Sequence, residues 1–205
     1  MTRMADHWWW RPGWGPGARC YTFHFTFQDQ PAVQEHAARA RARLEALPGL
    51  DLVPGKWLHL TTQGIGFAGT VSDDDLDAVT SAARNRLAAV APARVSVGPP
   101  VIASEGIACW VGPDGVLDPA RDALRAAIAA VRGSDLVPEG PDWTPHVSVA
   151  YSNASGPADI YETALDGQAD AAAVTLGAVR LIRLGRDGHV YEWDTIATLP
   201  LGGTP

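Results

Sequence analysis

The sequence predicts an α+β fold built from two α/β lobes that face each other across a central cleft. Strand-like and helical segments follow one another in the order β-α-β-α-β-β-α-β-α-β-β, as judged from the spacing of apolar residues. Each half of the chain also carries an apolar, β-prone run in which a histidine precedes a hydroxyl residue by two positions, at 57–62 and at 145–150. A chain of 205 residues suffices for one domain or for two small lobes that share a core.

Composition and charge indicate a soluble globular protein, with 46% hydrophobic and 19% charged residues. No run approaches the ~18 apolar residues of a membrane span, and the N-terminus lacks the basic-then-apolar pattern of a secretory signal. Cys20 and Cys109 fall in strand-like runs and are interpreted as small buried side chains of a reducing compartment. We therefore expect a cytoplasmic location. The net charge of −7 argues against nucleic-acid binding through a broad basic face, although a small nucleotide or one RNA end needs only a local cluster.

Residues 1–19 are rich in tryptophan, glycine and proline, so we predict an irregular segment that precedes a single bilobal domain at 20–205. The consecutive tryptophans Trp8, Trp9 and Trp10 would be a liability if all were exposed. The favoured interpretation is a strap that packs across the surface, because aromatic side chains are mostly buried. The alternative is a lid over the cleft, in which a tryptophan stacks on a base.

The first strand is predicted at 20–27, where aromatic residues alternate with polar ones and form one buried face. His24 lies on the other face, in a third histidine-x-threonine sequence that ends at Thr26. Three interpretations of His24 stay open. It could belong to a catalytic motif, it could contact a phosphate or a ribose in the site, or it could be a hydrogen-bonded polar residue of an ordinary strand.

The next elements each carry a start or stop signal. A helix is predicted at 30–47, with a proline in its first turn. The strand of the first motif ends near 64–67, where two glycines indicate a turn or a bulge rather than a phosphate loop. Ser72 is predicted to cap a second helix that runs to about residue 90. The three aspartates at 73–75 suit the positive end of that helix, which argues against a metal site there.

The second half continues the alternation and ends in a hairpin, whose turn at 185–188 has residues typical of tight turns. The predicted elements are strands at 94–101 and 107–111, a helix at 116–131, a loop at 133–145, the strand of the second motif up to 151–153, a short helix at 157–165, and hairpin strands at 174–184 and 190–199.

The two motifs are His59-Leu60-Thr61 and His146-Val147-Ser148, and their histidines are 87 positions apart. Side chains alternate between the two faces of a strand, so each histidine shares a face with the hydroxyl two residues later. The neighbouring leucines and valines point to the opposite, core-facing side. An imidazole transfers protons near neutral pH and a hydroxyl donates a hydrogen bond. Two such pairs facing each other are typical of a phosphate site.

This doubled pattern resembles the two-histidine phosphoesterase superfamily, which includes the bacterial 2'-5' RNA ligases and 2',3'-cyclic phosphodiesterases. The flanking sequences at 57–61 and 143–149 also resemble that family. The resemblance implies two pseudo-symmetric lobes with antiparallel sheets across a central cleft. It implies metal-independent hydrolysis of a 2',3'-cyclic phosphate or a 2'-5' linkage in a nucleotide or RNA end, with no cofactor and a role in RNA processing. It also implies His59 as the proton donor and His146 as the acceptor, with Thr61 and Ser148 bound to the phosphate oxygens.

Other residues are weaker candidates for the same site. His24 and Tyr151 are predicted as substrate contacts, although regular alternation places Tyr151 on the face opposite His146 unless the strand bends. Trp57 and Trp143 flank the motifs as walls or as platforms for a base. Arginines 11 and 180 are possible phosphate ligands, but a solvated surface position is the favoured interpretation for both.

The sequence is also compatible with three alternative functions. The same histidines could seal RNA ends through a 2'-5' linkage, although the acidic balance argues against this activity. The chain could be a nucleotide-binding module without turnover. It could also be a zinc hydrolase that uses His24, His59 and His146, but it lacks a short-spaced ligand pair. The expected partner is a nucleotide or RNA terminus, with no DNA, no membrane and a monomeric chain.

Overall fold

The computed structural model describes residues 2–138, 140 and 142–202. Parts of the predicted 133–145 loop and the last three residues of the predicted 20–205 domain lie outside this set. The strands, numbered in chain order, are β1 (Arg3–Met4), β2 (Cys20–Thr26), β3 (Leu50–Leu52), β4 (His59–Phe67), β5 (Ala93–Ala103), β6 (Gly106–Gly112), β7 (His146–Ser152), β8 (Gly156–Pro157), β9 (Ala172–Leu176), β10 (Ala178–Gly185) and β11 (Glu192–Pro200). The helices are α1 (Pro31–Leu44), α2 (Asp73–Leu87), α3 (Asp118–Arg132) and α4 (Asp159–Leu165).

The first motif lies in a four-stranded antiparallel sheet with the strand order β11-β10-β2-β4. The predicted aromatic face of β2 is buried, since Phe23 and Phe25 have no exposed surface. Helices α2 and α3 pack against each other and against this sheet. Ser72 caps α2 as predicted, because its Oγ accepts a hydrogen bond from the backbone N of Asp75 at 3.1 Å.

The second motif lies in a five-stranded antiparallel sheet with the order β3-β7-β6-β5-β9. Helices α1 and α4 pack on this sheet. The side chains of Val147 and Val149 are buried, as the alternation predicted. Strands β4 and β7 contact each other, so the two sheets meet where their motif strands run. The predicted α+β fold with antiparallel sheets across a cleft is confirmed.

The predicted strand at 174–184 is wrong, because the chain crosses from one sheet to the other within it. Strand β9 pairs with β5 in the five-stranded sheet, whereas β10 pairs with β2 and β11 in the four-stranded sheet. Gly177 separates the two strands, and the buried positions change from even to odd numbers there, from Val174 and Leu176 to Val179 and Leu181. Because apolar residues occur on both sides of Gly177, the sequence does not reveal that the buried positions shift there by one residue.

The two glycines near the end of β4 form a bulge and not a turn. In the pairing with β2, Thr22 lies opposite Gly64 and Tyr21 lies opposite Gly66, which leaves Ile65 as the extra residue. Strand β4 therefore continues to Phe67. Strands β1, β3 and β8 have two or three residues each, and the sequence did not predict them.

The N-terminal segment runs across both lobes. Strand β1 pairs with β8, and the backbone N of His7 donates to the carbonyl of Ser152 at 2.9 Å, at the end of β7. Further along, the backbone N of Ala68, next to β4, donates to the carbonyl of Arg19 at 2.8 Å. The segment is thus attached to the five-stranded lobe at one end and to the four-stranded lobe at the other. Among the described residues, no helix is long and apolar enough to cross a membrane.

Candidate active site

His59 and His146 line one cleft of about 330 Å³ between the two sheets. Each histidine is the first residue of its strand, β4 or β7. In each, Nδ1 lies within hydrogen-bond distance of a backbone carbonyl two residues earlier, at 2.8 Å from Trp57 O and at 2.9 Å from Thr144 O. A carbonyl can only accept, so Nδ1 carries the hydrogen in both rings. The neutral imidazoles then present Nε2 as the nitrogen that takes up a proton.

The hydroxyl of each motif has a ring partner within its own lobe. Thr61 Oγ1 lies 3.2 Å from Nε2 of His24, on the neighbouring strand β2. Ser148 lies beside Tyr151, three residues further along β7, and its side chain lowers the pKa of the Tyr151 phenol, against the larger effect of burial. Thr61, Ser148, His24 and Tyr151 all line the cleft. The two halves of the site therefore have the same plan, a histidine, a hydroxyl and a ring that contacts the hydroxyl.

Tyr151 reaches the cleft because β7 contains a bulge. In the pairing with β6, Ala108 lies opposite Ser148 and Ile107 lies opposite Ala150, so Val149 is an extra residue. This residue reverses the alternation and returns Tyr151 to the side of His146. The position expected from regular alternation was therefore wrong. Burial raises the pKa of Tyr151 above its usual range, so the phenol keeps its proton.

His24 lies beneath the first motif. Its ring stacks on the His59 ring with 4.5 Å between centroids and 5° between planes, and it has no exposed surface. Burial, and then the neighbouring His59, lower the pKa of His24 well below its usual value. Thr26, the hydroxyl of the third motif, is not among the described residues that line the cleft. The position of His24 therefore differs from that of the two strand-initial histidines.

The two candidate catalytic histidines differ in how far they are buried. The side chain of His59 is almost fully enclosed, and this desolvation lowers its pKa to about 4. The carbonyl of Trp57 opposes the shift, and the nearby His146 adds to it. His146 is exposed and lines the cleft, and its ring is nearly perpendicular to that of Trp110, with 5.7 Å between ring centroids. The structure therefore favours the neutral form of His59 in the free protein.

A family comparison matches this arrangement. The sequence profile of the 2'-5' RNA ligase superfamily matches residues 8–188, which include both motifs. The chain belongs to the 2'-5' RNA ligase superfamily. The predicted resemblance to two-histidine phosphoesterases is therefore confirmed, and the enzyme class of the superfamily is phosphoesterase.

Solved structures of three proteins share the superfamily fold with this chain. TT0787 of Thermus thermophilus has a TM-score of 0.70 at 16% identity, covering 90% of this chain and 98% of that one. LigT of E. coli, complexed with 3'-AMP, has a TM-score of 0.62 at 15% identity, covering 90% and 98%. The MHV ns2 PDE domain has a TM-score of 0.58 at 14% identity, covering 82% and 99%. A search of curated protein sequences found no match.

The cleft also contains His7, which was not predicted from the sequence. The side chain of His7, from the N-terminal segment, stacks on Tyr151 with 4.2 Å between ring centroids. Its Nδ1 donates to the Glu105 carboxylate at 3.1 Å, which leaves Nε2 to accept from the Tyr191 hydroxyl at 2.9 Å. Burial, and then the charge of Arg11, lower the pKa of His7 to about 4. The alternative interpretation of residues 1–19 as a lid was the only prediction that placed this segment at the cleft.

The two candidate arginines have different positions. Arg11 lines the cleft and forms an ion pair with Glu105. Among the described lining residues it is the only side chain with a permanent positive charge. Arg180 is not in the cleft; it pairs with Asp29 at 3.1 Å and with Gln28. The surface interpretation therefore holds for Arg180 but not for Arg11.

The candidate tryptophans mostly support the cleft from outside. Trp57 packs on Trp193 with 4.6 Å between ring centroids, and Trp143 donates from Nε1 to the carbonyl of Thr61 at 3.1 Å. Within the N-terminal triplet, Trp8 is buried, whereas Trp9 and Trp10 are 50% and 52% exposed.

In the part of the chain that the structure describes, no group of three histidine, cysteine, aspartate or glutamate side chains is arranged to hold a metal ion.

Proposed function

We propose that this protein is a metal-independent phosphodiesterase that hydrolyses a 2',3'-cyclic phosphate or a 2'-5' linkage in a nucleotide or an RNA end. One observation supports the proposal most strongly. His59 and His146 enter one cleft from two sheets, each with Nδ1 bonded to a carbonyl and with a hydroxyl two residues later. The phosphoesterase superfamily and the complex of E. coli LigT with 3'-AMP support a phosphate ester of a nucleotide as the substrate.

The reaction needs one proton acceptor and one proton donor. As water forms a bond to phosphorus, the acceptor removes its proton; as the bond from phosphorus to the ribose oxygen breaks, the donor protonates that oxygen. Burial favours the neutral form of the enclosed His59 in the free protein, so we assign it the acceptor role. His146, which solvent reaches, then has the donor role. This polarity is the reverse of the one that the family resemblance implies.

The substrate class can be tested directly with the wild-type protein. Turnover would be measured on the four nucleoside 2',3'-cyclic phosphates and on a 2'-5'-linked dinucleotide, with EDTA present throughout. We expect hydrolysis that EDTA does not reduce, and identification of the product as a 2'- or 3'-phosphate shows which ribose oxygen leaves. Turnover that requires added zinc would contradict the proposal. Binding of these nucleotides without turnover would indicate the binding module instead.

The pH dependence tests the assignment of the acceptor. We expect kcat/KM on the acid side to hold down to a pH near 4 and to fall about tenfold per pH unit below it, because a protonated His59 cannot accept a proton. The profile of the free protein would be measured at substrate concentrations below KM. An acid limb that begins near the ordinary histidine value of about 6.5 would contradict the assignment of His59.

Arg11 is expected to supply the positive charge that binds the phosphate. Replacing it with methionine keeps the apolar stem and removes the charge, so we expect KM to rise about 10- to 100-fold, the effect of losing a charge-assisted hydrogen bond. Arg180→Met is the matched control, because Arg180 lies outside the cleft. An unchanged KM in Arg11→Met, or an equal rise in both variants, would exclude this role.

A further inference from the structure

We propose that His24 is a positioning residue that donates a hydrogen bond from Nε2 to Thr61 Oγ1, and thereby directs the Thr61 hydroxyl proton towards the substrate phosphate. This inference deepens the proposed function and rests on it for its catalytic consequence. It assigns His24 neither to proton transfer nor to direct contact with the substrate. The role would be carried out through Thr61, the exposed hydroxyl of the first motif.

The contacts of His24 leave it one polar partner among the described residues. Nε2 lies 3.2 Å from Thr61 Oγ1, whereas Nδ1 is buried and has no hydrogen-bond partner there. The two faces of the ring are also occupied or enclosed, since one stacks on His59 and the side chain has no exposed surface. A substrate in the cleft would therefore meet Thr61 before it met His24.

The unpaired Nδ1 decides which nitrogen carries the hydrogen. A neutral imidazole has one N–H and one bare nitrogen. If the hydrogen were on Nδ1, a buried N–H would lack an acceptor, which is rarer in proteins than a buried acceptor that lacks a donor. With the hydrogen on Nε2, the N–H is paired with Thr61 Oγ1 and only a bare nitrogen is left over. The contacts thus favour the Nε2–H form.

This form determines the direction of the Thr61 hydroxyl. When Oγ1 accepts from His24, the O–H bond of Thr61 must point elsewhere, and the cleft lies on its open side. In the other form, Thr61 would donate to His24 and have no hydrogen left for a phosphate oxygen. Burial keeps His24 uncharged, so this direction does not change over the ordinary pH range.

A double-mutant cycle tests the coupling between the two residues. His24→Phe keeps a ring that stacks on His59 but removes the donor; we expect kcat to fall about 3- to 10-fold, with little change in KM. Thr61→Val is expected to lower kcat about 10²-fold or more. The double variant should be no slower than Thr61→Val, within about twofold. His24→Gln, whose amide N–H can donate to Oγ1, should restore most of the rate.

His36→Phe is the matched control for loss of a buried histidine. His36 is also fully enclosed, but it donates to the carbonyl of Gly98 at 2.8 Å and does not line the cleft. We expect its kcat to equal that of the wild type in a protein whose thermal unfolding shows it to be folded. Independent, multiplicative effects of His24→Phe and Thr61→Val, or equal losses in His24→Phe and His24→Gln, would overturn the inference.

A measurement without turnover separates this inference from the proposed function. Nitrogen-15 NMR of histidine-labelled protein reports which ring nitrogen of His24 carries hydrogen, with His24→Phe used to assign the signal. We expect hydrogen on Nε2, and hydrogen on Nδ1 would overturn the inference whatever the activity. If the NMR result is as expected but the wild type hydrolyses no phosphodiester, the proposed function fails and the catalytic role of His24 fails with it.

Discussion

His59→Ala and His146→Ala are each expected to lower kcat for phosphodiester hydrolysis by about 10²- to 10⁴-fold, the contribution of a positioned general acid or base. Both imidazoles lie in the same cleft with Nδ1 bonded to a carbonyl. The proposed reaction needs a proton donor and a proton acceptor at the same time, so one histidine alone cannot supply both. The double variant should be little slower than the slower single variant, because donor and acceptor act in one step. Turnover would be measured with EDTA present, on the substrate that the wild type prefers.

His189→Ala is the matched control for these two variants. His189 is exposed and bonds to Asp51, and it does not line the candidate active-site cleft. The His189→Ala variant should retain wild-type kcat. Circular dichroism should show that it, the two single histidine variants and the double variant are all folded. A His146→Ala protein with more than a tenth of the wild-type rate would contradict the two-histidine reaction. The result would then favour a site in which only the first motif takes part.

The parts of the structure that could be predicted depend on local sequence. Leu58 and Leu60 are buried opposite the first motif because side chains alternate between the two faces of a strand. Ser72 caps its helix because its hydroxyl accepts a hydrogen bond from a free backbone N–H of the first turn. The two motifs predicted the two lobes correctly, since each motif lies in a strand of a different sheet. These features require no knowledge of distant residues.

The parts that could not be predicted depend on small backbone irregularities and on distant contacts. One extra residue at Val149 places Tyr151 in the cleft, and alternation alone predicts the opposite face. His7 meets its hydrogen-bond partners Glu105 and Tyr191 at separations of 98 and 184 residues. No periodic pattern relates residues so far apart in an irregular segment. The cleft wall formed by this segment is therefore visible only in three dimensions.

The hydroxyls of the two motifs are expected to matter almost as much as the histidines. Thr61→Val and Ser148→Ala should each lower kcat by about 10²- to 10³-fold, the usual loss when one donor to a developing oxyanion is removed. KM should change less, because charge grows on the non-bridging oxygens mainly in the transition state. Each hydroxyl lies beside a ring of its own lobe, Thr61 beside His24 and Ser148 beside Tyr151.

Thr62→Val separates this effect from a general change in the strand. Thr62 is adjacent to Thr61, but its side chain is buried and its hydroxyl donates to the carbonyl of Leu60 at 3.5 Å. The same threonine-to-valine change should therefore leave kcat within about threefold of the wild type. Loss of one weak hydrogen bond away from the cleft is expected to change the free energy of unfolding more than the rate of the reaction. Equal losses in Thr61→Val and Thr62→Val would mean that the strand, and not a hydroxyl donor, supports the reaction. A large loss confined to Thr61→Val and Ser148→Ala would place one phosphate-oxygen donor in each lobe, with the scissile phosphate between the two sheets.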